Sequence, residues 1–168
     1  MKSTIVSILL VFTTIGFSQD KFDFNEKGLA PEYIIAAIDS IPKNTLYKKT
    51  LKWIKSTSNN LEIQNKTNTI QFTGIKDNAV HEGKRYFHIK YTIKISFEEG
   101  LYKFKPLKVQ LKANSKYDMG WKAFDLKKGD IFFKKGKVIK KFKSYVSDIP
   151  KILNDLNANL YNYLITED

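Results

Sequence analysis

The side chains that most often perform chemistry in proteins are sparse in this sequence. His81, Glu82 and His88 are the nearest set of metal-ligating types, but they lack the H-E-x-x-H spacing that places two histidines on one helix face. His88 also falls at a strand position that is predicted to face water. The chain has no cysteine, which excludes thiolate metal sites, thiol nucleophiles and disulfides. We therefore predict neither a metal nor a cofactor.

Motifs for hydrolysis or phosphate transfer are also missing from the sequence. It contains no G-x-S-x-G elbow, no glycine-rich phosphate loop and no calcium loop. Asp118 and Asp125 flank a segment suited to lining a pocket, but a pair of carboxylates has chemical meaning only when their separation is known. A hydrolase thus has no positive support, and we predict that the protein is not an enzyme.

What the sequence does carry is an excess of lysine. The formal net charge is +12, and nine lysines against Asp125 and Asp130 give the segment from Lys122 to Lys143 a local balance of +7. Such a field attracts anions, for example lipid headgroups or acidic glycans. Lysine also protects sheet edges and keeps a protein soluble, and this alternative stays open. The lysines that we single out as a surface for an anionic partner are Lys48, Lys52, Lys55, Lys127, Lys128, Lys134, Lys135, Lys137, Lys140 and Lys141.

Residues 1–18 have the pattern of a secretory signal peptide. Lys2 is followed by an apolar run that ends at Ile15, and small residues come next. The run is too short to span a bilayer, which takes about 20 apolar residues. We expect cleavage near Ser18, one mature domain over residues 19–168, and a location in the periplasm or outside the cell. No segment of the mature chain resembles a membrane span.

The elements that must position these residues begin with an amphipathic helix over the segment from Leu46 to Ser56. On a wheel of about 100° per residue, Tyr47, Leu51 and Ile54 share one apolar face and lysines occupy the other. A helix of this kind either lies on a membrane or covers a sheet. Because predicted strands precede and follow it, we expect it to pack on the sheet.

The clearest strand runs from Phe87 to Phe97, where every odd position is apolar and every even position is polar. A turn at Glu98–Gly100 leads into a second strand, Leu101–Ala113, whose apolar parity switches at Pro106. Proline donates no hydrogen bond to a strand ladder. We therefore predict a bulge or an edge at Pro106.

Further elements complete a single α+β domain. We predict strands over Tyr33–Ile38, Leu61–Gln64, Asn68–Ile75, Trp121–Leu126, Ile131–Lys134 and Lys137–Phe142. A last helix is predicted to be capped by Ser147 and Asp148, with Pro150 in its first turn. Its apolar stripe must be buried on the sheet. The expected architecture is a curved antiparallel sheet with a helix after the first strand and a C-terminal helix on one face.

Part of this sequence resembles a known family. The segment "LYKKTLKWI" from Leu46 to Ile54, the apolar strand before it, and Ile70 and Gly74 after it resemble an uncharacterised domain of exported Bacteroidota proteins. The resemblance covers roughly Leu29 to Leu111. It implies a TATA-box-binding-protein-like (TBP-like) fold and no established activity or catalytic residues. A fold name describes shape and does not by itself confer DNA binding.

Two functions of different classes follow from these observations. The first is a non-enzymatic binding or structural module of the cell envelope, which holds an anionic lipid headgroup or an acidic glycan on its lysines. Nucleic acid is not expected as a partner, because most aromatic residues sit at core positions and the chain is expected to be exported. The second is a carrier with a helix-grip fold, which encloses a small apolar ligand between the sheet and the C-terminal helix.

Overall fold

A computed structural model describes residues 20–39, 41–57, 62–118 and 120–166, so the predicted signal peptide lies outside the described residues. The strands are β1 (Asp23–Asn25), β2 (Gly28–Ala30), β3 (Ile34–Ala37), β4 (Glu62–Lys66), β5 (Thr69–Glu82), β6 (Arg85–Glu98), β7 (Leu101–Ala113), β8 (Lys122–Phe124), β9 (Phe133–Lys134) and β10 (Lys137–Val138). The helices are α1 (Lys43–Thr57) and α2 (Lys143–Ile165), with 3-10 turns at Asp130–Phe132 and Lys140–Phe142.

Six strands form one antiparallel sheet in the order β3-β7-β6-β5-β4, and β8 also pairs with β7. Strands β3 and β8 share the same edge of β7, since β3 pairs with Leu101–Phe104 and β8 pairs with Val109–Leu111. The pairs β1–β2 and β9–β10 are separate antiparallel hairpins. The predicted α+β class, with helices beside a large antiparallel sheet, is confirmed.

The two faces of the sheet have different surroundings. One face is buried, with Ile89, Ile93 and Ile95 of β6 fully inaccessible to solvent. Both helices pack on this face: the ring of Trp53 in α1 lies edge-on to Phe72 at 5.9 Å, and α2 buries Leu153 against the same core. We call it the core face. The opposite side, the open face, carries the alternate residues of the same strands.

Helix α1 covers the sheet, as the sequence predicted. Its buried residues Leu46, Trp53 and Ile54 belong to the core, and its first turn is tied to the β6–β7 turn because the backbone N–H of Lys43 donates to Glu99 Oε2 at 3.1 Å. Within the described residues, neither α1 nor α2 combines the length and hydropathy needed to cross a membrane.

The predicted irregularity at Pro106 is a β-bulge. Thr92 pairs with Lys108 and Ile93 with Pro106, so that Leu107 is an extra residue in β7. The bulge restores the alternation of faces, because the residues on either side of it keep their apolar side chains on the core face. It also lies in the gap between β3 and β8, where the outer edge of β7 has no strand beside it.

Several predicted boundaries in the C-terminal third are wrong. Strand β10 ends at Val138, and the rest of the predicted strand is a 3-10 turn that runs directly into α2. Helix α2 therefore begins at Lys143 rather than near Ser147, and Pro150 lies inside it, not in its first turn. Ser147 does not cap the helix, because its hydroxyl donates to the carbonyl of Ser144 and contacts the adjacent Asp148.

A cluster of aromatic rings explains why the chain before α2 folds into 3-10 turns. Phe124 stacks on Phe132 at 5.4 Å and on Tyr145 at 6.1 Å, while Phe142 meets Phe132 edge-on at 5.3 Å. The cluster draws the 3-10 turns against the start of α2. The hairpin β9–β10 is left as an outer projection whose lysines face solvent.

The N-terminal end of the domain is fastened by one asparagine. The backbone N–H of Phe22 donates to Asn154 Oδ1 at 2.8 Å, and Asn154 Nδ2 donates to the carbonyl of Phe22 at 2.9 Å. The side chain of α2 thus pairs with the backbone as a neighbouring strand would. The Phe22 ring beside it is buried against Phe104 of the core.

Candidate functional site

The lysines singled out in the sequence form three separate groups. Lys48, Lys52 and Lys55 are exposed on the outer side of α1. Helix α1 lies at the C-terminal end of α2, because Lys49 Nζ donates to the carbonyl of Thr166 at 2.7 Å. Lys140 and Lys141 lie in the 3-10 turn that leads into the other end of α2, whose 23 residues span about 34 Å. The two ends therefore do not form one continuous surface.

The second group lies at the start of α2. Lys140 and Lys141 line an open depression of about 660 Å³ together with Glu82, Arg85 and Ser144. Arg85 is the chain's single arginine, and it sits beside the β5–β6 turn. Lys134, Lys135 and Lys137 are exposed on the neighbouring hairpin β9–β10.

Charge in this depression is partly balanced. Arg85 lies 4.0 Å from the Glu82 carboxylate, whose negative charge also acts on the Tyr145 hydroxyl. Burial first, and then the negative charge of Glu82, raise the pKa of Tyr145 to about 12. Tyr145 is therefore a neutral hydrogen-bond donor at physiological pH, and Glu82 offsets some of the cationic field.

The third group, Lys127 and Lys128, joins a basic surface that the sequence analysis did not identify. Lys127 lines a depression of about 360 Å³ with Lys105 and Lys108, in the gap between β3 and β8. Both Lys105 and Lys108 belong to the open face of the sheet. Lys128, the next residue in the chain after Lys127, is exposed.

The open face carries six lysines on its two central strands. Successive cross-strand pairs of β6 and β7 on this face are Ser96–Lys103, Lys94–Lys105, Thr92–Lys108, Lys90–Gln110 and His88–Lys112. Every pair contains at least one lysine. We call Lys90, Lys94, Lys103, Lys105, Lys108 and Lys112 the lysine ladder.

Like charges face each other within the ladder. Lys94 and Lys105 are direct cross-strand partners, an arrangement that destabilises a sheet. Lys105 has an acidic partner, since its Nζ lies 2.5 Å from Glu32 Oε1. In the described part of the chain, Lys94, Lys108 and Lys112 have no carboxylate within 4.0 Å. The ladder thus concentrates positive charge that the fold leaves largely unpaired.

The pKa of Glu32 shows that the electrostatic field at the edge of the ladder is positive. Its carboxyl pKa is lowered, first by the hydrogen bond and charge of Lys105 and further by Lys127 and Lys103. Lys127 is the one residue of the predicted surface that acts on this carboxylate. The structure therefore brings part of the predicted surface to the edge of the ladder.

Two aromatic rings border the ladder. Lys103 Nζ lies 3.3 Å from the centroid of Tyr33, which precedes β3, and Lys90 Nζ lies 4.5 Å from the centroid of Trp121, which precedes β8. Both rings are partly exposed. These are cation–π contacts, which hold the lysine amines in place on the open face.

The histidines considered as metal ligands and the aspartates considered for a hydrolase have separate partners. His88 Nδ1 lies 2.7 Å from Asp77 Oδ1, and the backbone N–H of His81 donates to Asp148. Asp118 accepts from the backbone of Ala113 and Gly120, and Asp125 accepts from the backbone of Lys127. Within the described ranges no three His, Asp or Glu residues lie close enough to hold a metal ion.

The space that a helix-grip carrier would need is occupied by side chains. Leu153 and Leu160 of α2 are fully buried, and Leu156 is half-buried against the same core. The buried Tyr102 hydroxyl donates to Asn157 Oδ1 at 2.9 Å, which joins the sheet directly to the helix. This region gives the carrier function no support.

Comparisons with known proteins show the fold. No family model matches the chain, and no curated protein matches it. A crystal structure of a TBP-like protein from Parabacteroides distasonis is similar with a TM-score of 0.63 at 16% identity, over 81% of this chain and 92% of that one. A DUF4468 family protein from Bacteroides ovatus is similar with a TM-score of 0.64 at 10% identity, over 85% and 90%.

Both similar structures come from Bacteroidota, as the sequence resemblance implied. The TBP-like fold predicted from the segment around Trp53 is thereby confirmed. At these identities the similarity shows the fold alone, so a function must be inferred from the surface chemistry of this chain.

Proposed function

Starting from a TBP-like fold with a lysine-covered open face, we propose that this protein is an exported, non-enzymatic binding module that holds an anionic component of the cell envelope. The proposal rests on one observation: the cross-strand pairing of Lys94 with Lys105 inside the lysine ladder. A sheet is more stable without like charges opposite each other, so a role in binding accounts for them better than folding does.

The alternative role of the lysines is to keep the protein soluble and its sheet edges apart. That role suits Lys134, Lys135 and Lys137 on the small hairpin β9–β10, which is an exposed strand pair. Protection of a sheet edge does not account for Lys90 and Lys94, because β6 is paired with β5 on one side and with β7 on the other.

Binding to heparin and to vesicles containing phosphatidylglycerol, measured over a range of salt concentrations, tests the proposal. We expect binding at low salt that weakens steeply as salt screens the lysines. No binding at low salt, or binding that salt leaves unchanged, contradicts the proposed function.

Two variants with the same net charge identify the surface. K94Q/K108Q/K112Q removes three ladder lysines that have no carboxylate within 4.0 Å among the described residues, and K134Q/K137Q/K140Q removes three lysines from the region before α2. We expect the first variant to bind more weakly than the second. If the second variant loses more affinity, the anionic partner binds beside α2 instead.

A further inference from the structure

The lysine ladder is a line of charges rather than a compact cluster. Its first pair is Ser96–Lys103 and its last is His88–Lys112. Ser96 and His88 are eight positions apart in β6, which at about 3.4 Å per residue gives a length of about 27 Å. Positive charge recurs at every second residue, a spacing of about 7 Å. A small anion would contact only one or two of these steps.

The two aromatic rings lie near opposite ends of this line. Tyr33 is placed beside Lys103 and Lys105, because Ile35, two residues later, pairs with Lys103. Trp121 lies at the other end, since Lys122 pairs with Leu111 and the ring contacts Lys90. Each end of the ladder therefore offers a flat apolar surface next to an amine. Sugar rings have apolar faces that suit such surfaces, and acidic sugars carry the anion as well.

From this arrangement we infer that the open face binds a single chain of a linear acidic polysaccharide, laid along the ladder from Tyr33 to Trp121. The inference rests on the proposed function and specifies the chemistry of the partner. Carboxylate or sulfate groups along the polymer contact successive lysines, and sugar rings at the two ends pack against the aromatic side chains.

A membrane surface fits the same charges less well. A sheet twists, so lysines that follow its strands over 27 Å do not lie in one plane. Peripheral helices bind a bilayer by inserting an apolar face, and the apolar face of α1 is buried in the core through Leu46, Trp53 and Ile54.

Nucleic acid fits the aromatic groups less well. Single-stranded nucleic acid binds by stacking its bases on exposed aromatic faces. The cross-strand pairs between Tyr33 and Trp121, Lys94–Lys105 and Thr92–Lys108, contain no aromatic residue on which the bases in between could stack. The ladder also has no arginine, the residue that pairs most readily with phosphate in a bidentate manner.

Heparin fragments of graded length, titrated by calorimetry at fixed salt, test the inference. We expect a disaccharide to bind weakly and the affinity to rise with each added unit until the fragment spans the ladder, after which it levels off. For long fragments, K94Q/K108Q/K112Q should lower the slope of log affinity against log salt by about three, one for each lost charge.

Trp121 supplies the second arm of the experiment. W121A should lower the affinity several-fold for fragments that span the ladder and leave the disaccharide unchanged, while W121F keeps a ring and should retain most of the affinity. The midpoint of thermal unfolding shows whether each variant is folded; if W121A is not, the comparison of W121F with the parent protein on long and short fragments takes its place.

The outcomes distinguish the inference from the proposed function. Salt-sensitive binding of equal strength for all fragment lengths overturns the polysaccharide chain but leaves an anion-binding module. Tighter binding to phosphatidylglycerol vesicles, or to a single-stranded oligonucleotide of matched charge, also overturns it and identifies the partner as a membrane or a nucleic acid. Loss of all binding at low salt overturns both.

Discussion

The core face and the open face of the sheet are made by the same strands, yet their side chains are constrained to different degrees. Ile93 and Lys94 are neighbours in β6, but Ile93 is fully buried beneath the helices and Lys94 is exposed beside Lys105. On the core face each side chain is constrained by packing. On the open face, packing does not constrain exposed side chains such as that of Lys94. The contrast separates what the sequence needs to fold from what is available for binding.

The largest expected effect tests this contrast at adjacent positions. I93A removes a fully buried side chain and should lower the free energy of unfolding by about 2–5 kcal/mol. K94A, one residue away, should change it by no more than about 0.5 kcal/mol. Urea denaturation of both variants measures the difference. Similar losses in the two would mean that the open face is also part of a packed structure.

The next effect concerns the hydrogen bond that joins the core face to α2. Tyr102 is fully buried and its hydroxyl donates to Asn157 Oδ1; Asn157 is 3% exposed. Y102F leaves that oxygen without its donor and should cost about 1–3 kcal/mol in the free energy of unfolding. Y117F, at a tyrosine that is 79% exposed, is the control and should be neutral.

A glycine on the core face gives an effect of similar or smaller size. A Cβ atom at Gly74 would lie 2.5 Å from the hydroxyl and 2.6 Å from the ring of Tyr91, which is buried. G74A should therefore destabilise the protein by about 1–3 kcal/mol through overpacking. Q71A on the open face of the same strand is the matched comparison. An unchanged thermal midpoint for G74A would show that Tyr91 has room to move.

The smallest effect has the opposite sign and sharpens the comparison most. K94E replaces a like-charge pair with an opposite-charge pair across β6 and β7, and should stabilise the sheet by about 0.2–1 kcal/mol. The same change should weaken heparin binding. A variant that gains stability and loses binding identifies Lys94 as a residue kept for its partner; a variant that loses both contradicts the proposed role of the ladder.

Much of the fold was predictable because strong local patterns agreed with the final packing. The strict alternation from Phe87 to Phe97, the parity switch at Pro106 and the apolar face around Trp53 each correspond to an element of the structure. The start of α2 was missed for a physical reason. Tyr145 in the first turn of α2 stacks on Phe124, which lies 21 residues earlier, and Phe142 packs on Phe132; no local pattern encodes these contacts.

The lysine ladder was missed although its residues were visible. Lys90 and Lys94 stood at polar positions of a predicted strand, and the tight turn at Glu98–Gly100 fixed the register against β7. Aligning the two strands around that turn, with one extra residue at the bulge, brings Lys94 opposite Lys105. Counting charge along the chain instead drew attention to Lys134–Lys141, where lysines are adjacent in sequence.

The pairing of Asn154 with the backbone of Phe22 also bears on how the chain reaches its native state. The two residues are 132 positions apart, so the first strand segment gains this support only after the final helix exists. Contacts of such long sequence separation form late and slow folding, because a large loop must close before they contribute. A chain still emerging from the ribosome therefore lacks the hydrogen bonds between Asn154 and Phe22 that hold its N-terminal segment against the domain.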